Sequence, residues 1–428
     1  MFTGKSPFLF QSFCNIPTAL MYSTCSQTFN LRILQSDDTR RKFVRQLFFI
    51  ITIFLGIFYA QTSPTIARET LAKSAFVIDQ TTGTILISKN ALTPLPPASM
   101  SKLMTLYMTF EAIKDGRLRL DERLRVSEYA MSLKGSTMFL DTTDRVVVED
   151  LLRGIIVLSG NDACVVIAEA LSPDGTEAGF ARLMTQRARQ LGMEQATFVN
   201  SSGWPHPDHR MSMRDLAIIA DRLIIDFPEF YSMFSEQEFI FDNRVPANSR
   251  NRNSLLGLGI GVDGLKTGYT KEAGYGIVAS AEHSDRRIIV VISGLESTKE
   301  RTSEAEAIIN WAFRQFKKVN LAKAGTNIVS ANVQMGTQAK LDLIVKTDID
   351  VLIPVHGEGQ ITAEAIYQGP VLAPILEGQE IGELLILTDE LQETRVPLFA
   401  SQAIAKGGFF SQLISASKFL QKQISVRF

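Results

Sequence analysis

Pro97-Ala98-Ser99-Met100-Ser101-Lys102-Leu103-Met104-Thr105 is the stretch from which the rest of this 428-residue chain can be read. Pro94, Pro96 and Pro97 punctuate the chain just before it, and a helix is expected to open near Ser99. From Leu103 to Ile113 that helix is apolar on nearly every face, so it should be buried. Positions i and i+3 of a helix share a face, which brings the Ser99 hydroxyl and the Lys102 amine together. A lysine is costly to bury as a cation. Burial lowers its pKa and makes it a plausible acceptor for a serine proton. Ser99 also stands at the helix N-terminus, where the dipole and free N–H groups favour a developing oxyanion. The spacing alone is weak evidence, because Ser415-Ala416-Ser417-Lys418 repeats it where a solvated polar face is the simpler reading.

Working outward, Ser74 to Asp79 and Thr84 to Ser88 are short apolar and β-branched runs around Gln80-Thr81-Thr82-Gly83, which reads as a hairpin. From about Ser127 to Asp226 the pattern is helical, over Val148 to Leu158, Ala163 to Leu171, Glu177 to Leu191 and Met213 to Ile225. Strand character returns at Gly274 to Glu282 and Arg286 to Ser293, and a helix over Ser303 to Phe316 closes the region. Strands, then helices, then strands and a helix make one α+β domain with a helical insert. After Lys318, short alternating segments such as Leu341 to Lys346, Val351 to Val355 and Glu383 to Leu387 indicate a small all-β domain.

Both ends differ from this globular middle. Arg40-Arg41-Lys42-Phe43-Val44-Arg45 precedes an apolar run from Leu47 to Ala60, the pattern of a secretory signal over residues 40–67. Residues 1–39 form an extension of doubtful status, a polar preamble unusual ahead of a signal, which leaves the true start open. At the other end, Phe410, Leu413, Ile414, Leu420, Ile424 and Phe428 fall on one side at helical spacing, with Lys418, Lys422 and Arg427 as cations. Residues 406–428 are therefore expected to be an amphipathic helix lying on a membrane surface.

Composition closes off several function classes. The formal charge is −1, from 44 Lys+Arg against 45 Asp+Glu, so no global positive field attracts nucleic acid. Three Cys and four His exclude a disulfide scaffold and a Cys-rich zinc site, and neither a metal nor a cofactor is expected. His206-Pro207-Asp208-His209 reads as a surface loop, since Pro207 disfavours a helix that would align the two imidazoles.

Two further motifs change the weight of the first. Ser159-Gly160-Asn161 follows the helical run ending at Leu158; a helix cap would explain it, and S-x-N also occurs at Ser88 and Ser249. Lys266-Thr267-Gly268 stands just before the strand pair and by itself reads as an exposed turn. In this order, S-x-x-K, S-x-N and K-T-G are the three-part signature of penicillin-recognising serine enzymes. With their flanks, Asp162-Ala163-Cys164 and Val262-Asp263-Gly264-Leu265, they resemble the D-alanyl-D-alanine carboxypeptidases, low-molecular-mass penicillin-binding proteins. The resemblance runs from about Lys73 to the C-terminus.

The resemblance implies a penicillin-binding, β-lactamase-like transpeptidase domain over 68–318, an antiparallel sheet with helices and a helical subdomain. A β domain over 319–405 and the terminal anchor helix would follow. It implies Ser99 as the nucleophile that forms the acyl-enzyme and Lys102 as its general base. Ser159 and Asn161 would relay protons and hold the substrate amide. Lys266, Thr267 and Gly268 would line the substrate and its terminal carboxylate. Arg301 would bind that carboxylate, with Arg252 a second arginine near the site, a task that suits a planar guanidinium. Tyr269 stands where the family often has His or Thr; its backbone N–H would still serve the oxyanion. The implied partners are a peptidoglycan stem pentapeptide, β-lactams as inhibitors and the periplasmic face of the cytoplasmic membrane. A β-lactamase of the same fold is a rival in chemistry, but no Glu-x-x-Leu-Asn element is found and a β domain is present. A catalytically dead muropeptide-binding module is the rival of another class, and the intact motifs count against it.

Overall fold

The computed structural model describes residues 68–355, 361–388 and 391–408, so the expected export signal, His356 and the expected terminal helix beyond residue 408 lie outside it. The first described strands are the expected hairpin, β1 (Ser74–Asp79) and β2 (Thr84–Lys89). Its turn is fastened by Asp79, whose Oδ1 accepts from the backbone N–H and hydroxyl of Thr82, each at 2.9 Å.

A 3-10 turn, Ala98–Ser101, then feeds α1 (Lys102–Lys114). The helical insert follows, with α2 (Glu128–Ser132) set between the paired strands β3 (Arg123–Arg125) and β4 (Arg145–Val147). Next come α3 (Val148–Arg153), which passes into a π-helical turn over Gly154–Leu158, then α4 (Asn161–Leu171) and α5 (Glu177–Gln190). The insert ends with α6 (Met213–Asp226) and α7 (Pro228–Tyr231). The chain returns to the sheet through β5 (Val262–Thr270), β6 (Gly274–His283) and β7 (Arg286–Leu295), and leaves by α8 (Thr298–Gln315).

The main sheet has the order β2-β1-β7-β6-β5 and is antiparallel throughout. Strand periodicity divides its residues between two cores. Val77, Ile288, Val290 and Ile292 pack against Ile308 and Ile309 of α8. Phe76, Ile289 and Val291 face the opposite way, into the large core that holds α1 and the helical insert. Burial on both faces is why β7 is an unbroken apolar run.

Two expectations need correction. Lys266-Thr267-Gly268 is not an exposed turn; it lies inside β5, where residues 264–268 are all buried. The last helix of this region begins at Thr298, not Ser303. Its first turn is polar, so hydropathy hides it, but Ser297 caps it by accepting the Glu300 N–H at 3.1 Å.

The β-rich segment starts at Phe316, where β8 (Phe316–Ala322) follows α8 directly. After it come β9 (Asn327–Gln334), β10 (Lys340–Ile344), β11 (Ile349–Pro354), β12 (Ile361–Tyr367), β13 (Val371–Leu372), β14 (Glu380–Thr388) and β15 (Leu391–Ala400). Six of these form a sheet of order β12-β14-β15-β10-β9-β13, and β8 pairs with β11. This segment has its own core, around Leu341, Leu343, Val351, Leu384, Ile386 and Leu398.

Candidate active site

The 3-10 turn holds Ser99 half out of the core. Side chains at i and i+3 eclipse in such a turn, so it aligns Ser99 and Lys102 better than an α-helix would. The backbone before the serine is strained, with Ala98 at φ +50°, a conformation that costs on the order of 1–3 kcal/mol outside glycine. Gly203 helps to hold it, at φ +77° and so near that a Cβ there would stand 1.9 Å from the Ala98 carbonyl oxygen.

Lys102 is fully buried and donates to three acceptors. They are Ser99 Oγ at 2.9 Å, Asn161 Oδ1 at 2.8 Å and the Ser202 carbonyl at 2.5 Å. Burial lowers its pKa from 10.5 to about 8. A neutral amine keeps two N–H bonds and gains a lone pair. With Asn161 and Ser202 able only to accept there, that lone pair falls to Ser99.

The S-x-N motif begins where the π-helical turn ends. Ser159 is left-handed at φ +63° and nearly inaccessible, and Asn161 opens α4. Asn161 Nδ2 donates to the Lys134 carbonyl at 2.7 Å, which turns its oxygen toward Lys102. Asp162 fastens the loop over the site, accepting from the N–H of Met138 at 2.9 Å and of Leu140 at 3.2 Å.

β5 forms the opposite wall. Gly268 allows close packing, since a Cβ there would lie 3.0 Å from the Pro97 carbonyl and from Met100 Cγ. Lys266 is buried, and burial, then the charges of Lys102 and Arg252, push its pKa well below the lysine range. Arg301 reaches in from the first turn of α8 and donates through Nη2 to the Arg252 carbonyl at 3.2 Å, while its buried Nε has no partner among the described residues. The Arg252 guanidinium bonds the Ser136 hydroxyl. Among the described residues none of Lys102, Lys266, Arg252 and Arg301 forms a salt bridge. Ser99, Ser159, Arg252, Thr267, Tyr269 and Arg301 all line one cleft of about 690 Å³. Lys102 and Asn161 stand directly behind Ser99, and Lys266 and Gly268 belong to the β5 wall.

Other contributors were not legible. Glu177 Oε1 accepts from both the backbone N–H and the hydroxyl of Ser201, at 2.8 and 2.6 Å, and so fixes the loop that presents Ser202 to Lys102. Tyr129 donates to the other Glu177 oxygen at 2.7 Å. The His206–His209 loop is only half surface: His206 is exposed, but His209 is buried edge-on to Phe198. Its Nδ1 accepts from the Val199 N–H at 3.4 Å, and burial lowers its pKa to about 4. Among the described residues no cluster of His, Cys, Asp or Glu is placed to hold a metal ion.

Comparison with known proteins bears on this geometry. Residues 60–297 match the family model described as D-alanyl-D-alanine carboxypeptidase, and residues 316–406 match the model for the C-terminal domain of penicillin-binding protein 5. D-alanyl-D-alanine carboxypeptidase DacF of Bacillus subtilis is 33% identical over 350 residues, 80% of this chain and 88% of the relative. DacC of Escherichia coli, with the same activity in its name, is 34% identical over 349 residues, 80% of this chain and 86% of the relative. Among solved structures, penicillin-binding protein 5 from Haemophilus influenzae superposes with a TM-score of 0.72 at 32% identity, over 79% of this chain and 99% of that one. Penicillin-binding protein D2 from Listeria monocytogenes in its ampicillin-bound form gives 0.51 at 32% identity, over 56% of this chain and 97% of that one.

Proposed function

The chain belongs to the D-alanyl-D-alanine carboxypeptidase family and is a hydrolase of the penicillin-binding type; from that premise we propose how its own residues carry the reaction. Ser99 Oγ attacks the carbonyl of the penultimate D-alanine in a peptidoglycan stem pentapeptide. Lys102, neutral, takes the hydroxyl proton. The tetrahedral oxyanion is held by the backbone N–H groups of Ser99 and Tyr269. The proton passes to the leaving amine through Ser159, terminal D-alanine departs, and water hydrolyses the ester on Ser99 with Lys102 again as base. Lys266, Thr267, Arg252 and Arg301 hold the terminal carboxylate, and Asn161 the substrate amide. Penicillins acylate Ser99 by the same route.

The observation that carries this reading is the Lys102 environment: a buried amine 2.9 Å from Ser99 whose other two acceptors can only accept. The unneutralised cations beside it support a substrate that ends in a carboxylate. Mass spectrometry of the full-length protein with benzylpenicillin tests the reading. A stoichiometric adduct on Ser99 is expected, absent in Ser99→Ala. Its formation rate should rise with pH and reach half its maximum near pH 8, because the base is the deprotonated form of a group with a pKa of about 8. An adduct that persists in Ser99→Ala, or a rate that falls between pH 7 and 9, would sink the assignment.

The same reading places the enzyme outside the cytoplasm. Residues 40–67 would direct export, 68–318 would be the peptidase, 319–405 the β domain, and 406–428 would lie on the periplasmic face of the cytoplasmic membrane. The charge and hydropathy pattern of those end segments supports this. Among the described residues no helix is long and apolar enough to cross a membrane. Fractionation of cells with and without residues 406–428 decides the anchor: equal membrane retention of both forms would count against it.

A further inference from the structure

The cleft holds a pair of aromatic rings whose side chains the proposed reaction does not use. Tyr269 and Tyr275 are direct partners across the β5–β6 ladder, with ring centroids 4.3 Å apart and planes at 33°. Tyr269 nonetheless stays 55% exposed, so no part of the described chain covers its outer face. Neither phenol hydroxyl has a hydrogen-bond partner among the described residues. The alternation of a strand puts Tyr269 on the face of Thr267, and both rings line the same cavity as Ser99, Arg252 and Arg301.

This sets a flat apolar surface beside the cations. A peptide docked with its carboxylate on Arg301 and Arg252, and its scissile carbonyl at Ser99, has one group left to place in that interval: the side chain of its last residue. A methyl group would cover little of a two-ring surface. A larger side chain would bury more apolar area against it, and an aromatic one adds ring-on-ring attraction.

We propose that the Tyr269–Tyr275 pair is a subsite for the side chain of the terminal D-residue, and that the enzyme releases large apolar and aromatic D-residues from stem peptides as well as D-alanine. The inference rests on the carboxypeptidase reading and extends its substrate class. The bond broken and the balance of the step are unchanged: water adds across the amide, and the free D-amino acid leaves.

The test uses three N-acylated peptides that differ only in their last residue, D-alanine, D-methionine or D-phenylalanine, with the full-length protein. Release of D-phenylalanine is expected with kcat/KM within about tenfold of that for D-alanine. The ratio of the two should fall by about tenfold or more in Tyr269→Ser, the scale on which an apolar pocket discriminates, and should hold in Tyr269→Phe. Release of D-alanine alone by the wild type overturns the subsite and leaves the carboxypeptidase standing. So does an unchanged ratio in Tyr269→Ser, with acylation by benzylpenicillin as the check that this variant is folded; if it is not, Tyr275→Leu provides the same ratio. No release from any of the three peptides overturns the carboxypeptidase reading itself, and the subsite with it.

Discussion

Arg286 and Arg301 belong to the same globular region and are buried almost equally, at 7% and 5% exposure, yet they treat charge in opposite ways. At the end of the sheet remote from the cleft residues on β5, Arg286 sends Nε and Nη2 to Asp79 Oδ2 at 3.0 and 2.8 Å, and Nη1 to the Phe316 carbonyl at 2.5 Å. In the cleft, Arg301 has one bond to a carbonyl and, among the described residues, no carboxylate and no partner for its Nε. Burial therefore does not distinguish the two cations; the partner does. A buried charge left without its counterion is expensive, which makes the unpaired arginine, and not the paired one, the candidate for meeting an anionic ligand.

The largest effect should come from breaking the paired region. Asp79→Asn strands the Arg286 guanidinium and should destabilise the protein by about 3–5 kcal/mol, read from denaturant unfolding, while penicillin acylation per folded molecule is unaltered. Arg301→Met should do the reverse. It removes a cation with no counterion, so stability holds or rises, but kcat/KM for a peptide ending in carboxylate should drop about 100-fold. Equal destabilisation by the two variants would erase the comparison. The smallest effect belongs to the exposed charges of the β-rich segment, such as Arg395 with Glu383 and Glu393. There Arg395→Ala should leave the denaturant midpoint essentially where it was, because solvent screens the pair.

What the sequence made legible follows the same division. Periodicity located the first hairpin, the buried helix after Ser99 and the four longer helices of the insert, because each is defined by its pattern of apolar residues; the short α2 and α7 have too few residues to show one. Periodicity failed at β5, where Gly264 and Gly268 interrupt the run and Lys266 and Thr267 are polar yet buried. A strand that packs this closely against a neighbouring turn gives up the side chains by which strands are recognised. The start of α8 was missed for a related reason, since its first turn spends an arginine on the cleft. Ser99, Lys102, Ser159 and Asn161 were legible as motif positions. Glu177 was not, because its hold on Ser201 spans 24 residues of sequence and has no local signature. Nor was the burial of His209, in a loop whose composition is that of a surface.

The position of β5 at the margin of its sheet has one more consequence. A marginal strand carries a row of backbone groups able to accept another extended chain, and most proteins blunt such strands with charge or bulges. Here the 97–101 turn packs alongside, and Asn253 occupies the Gly264 carbonyl at 3.0 Å. Both contacts shorten the free edge that a second sheet could reach. Protection of this edge is thus built into the same turn that carries Ser99, and a chain that loses the turn on partial unfolding lays the edge bare.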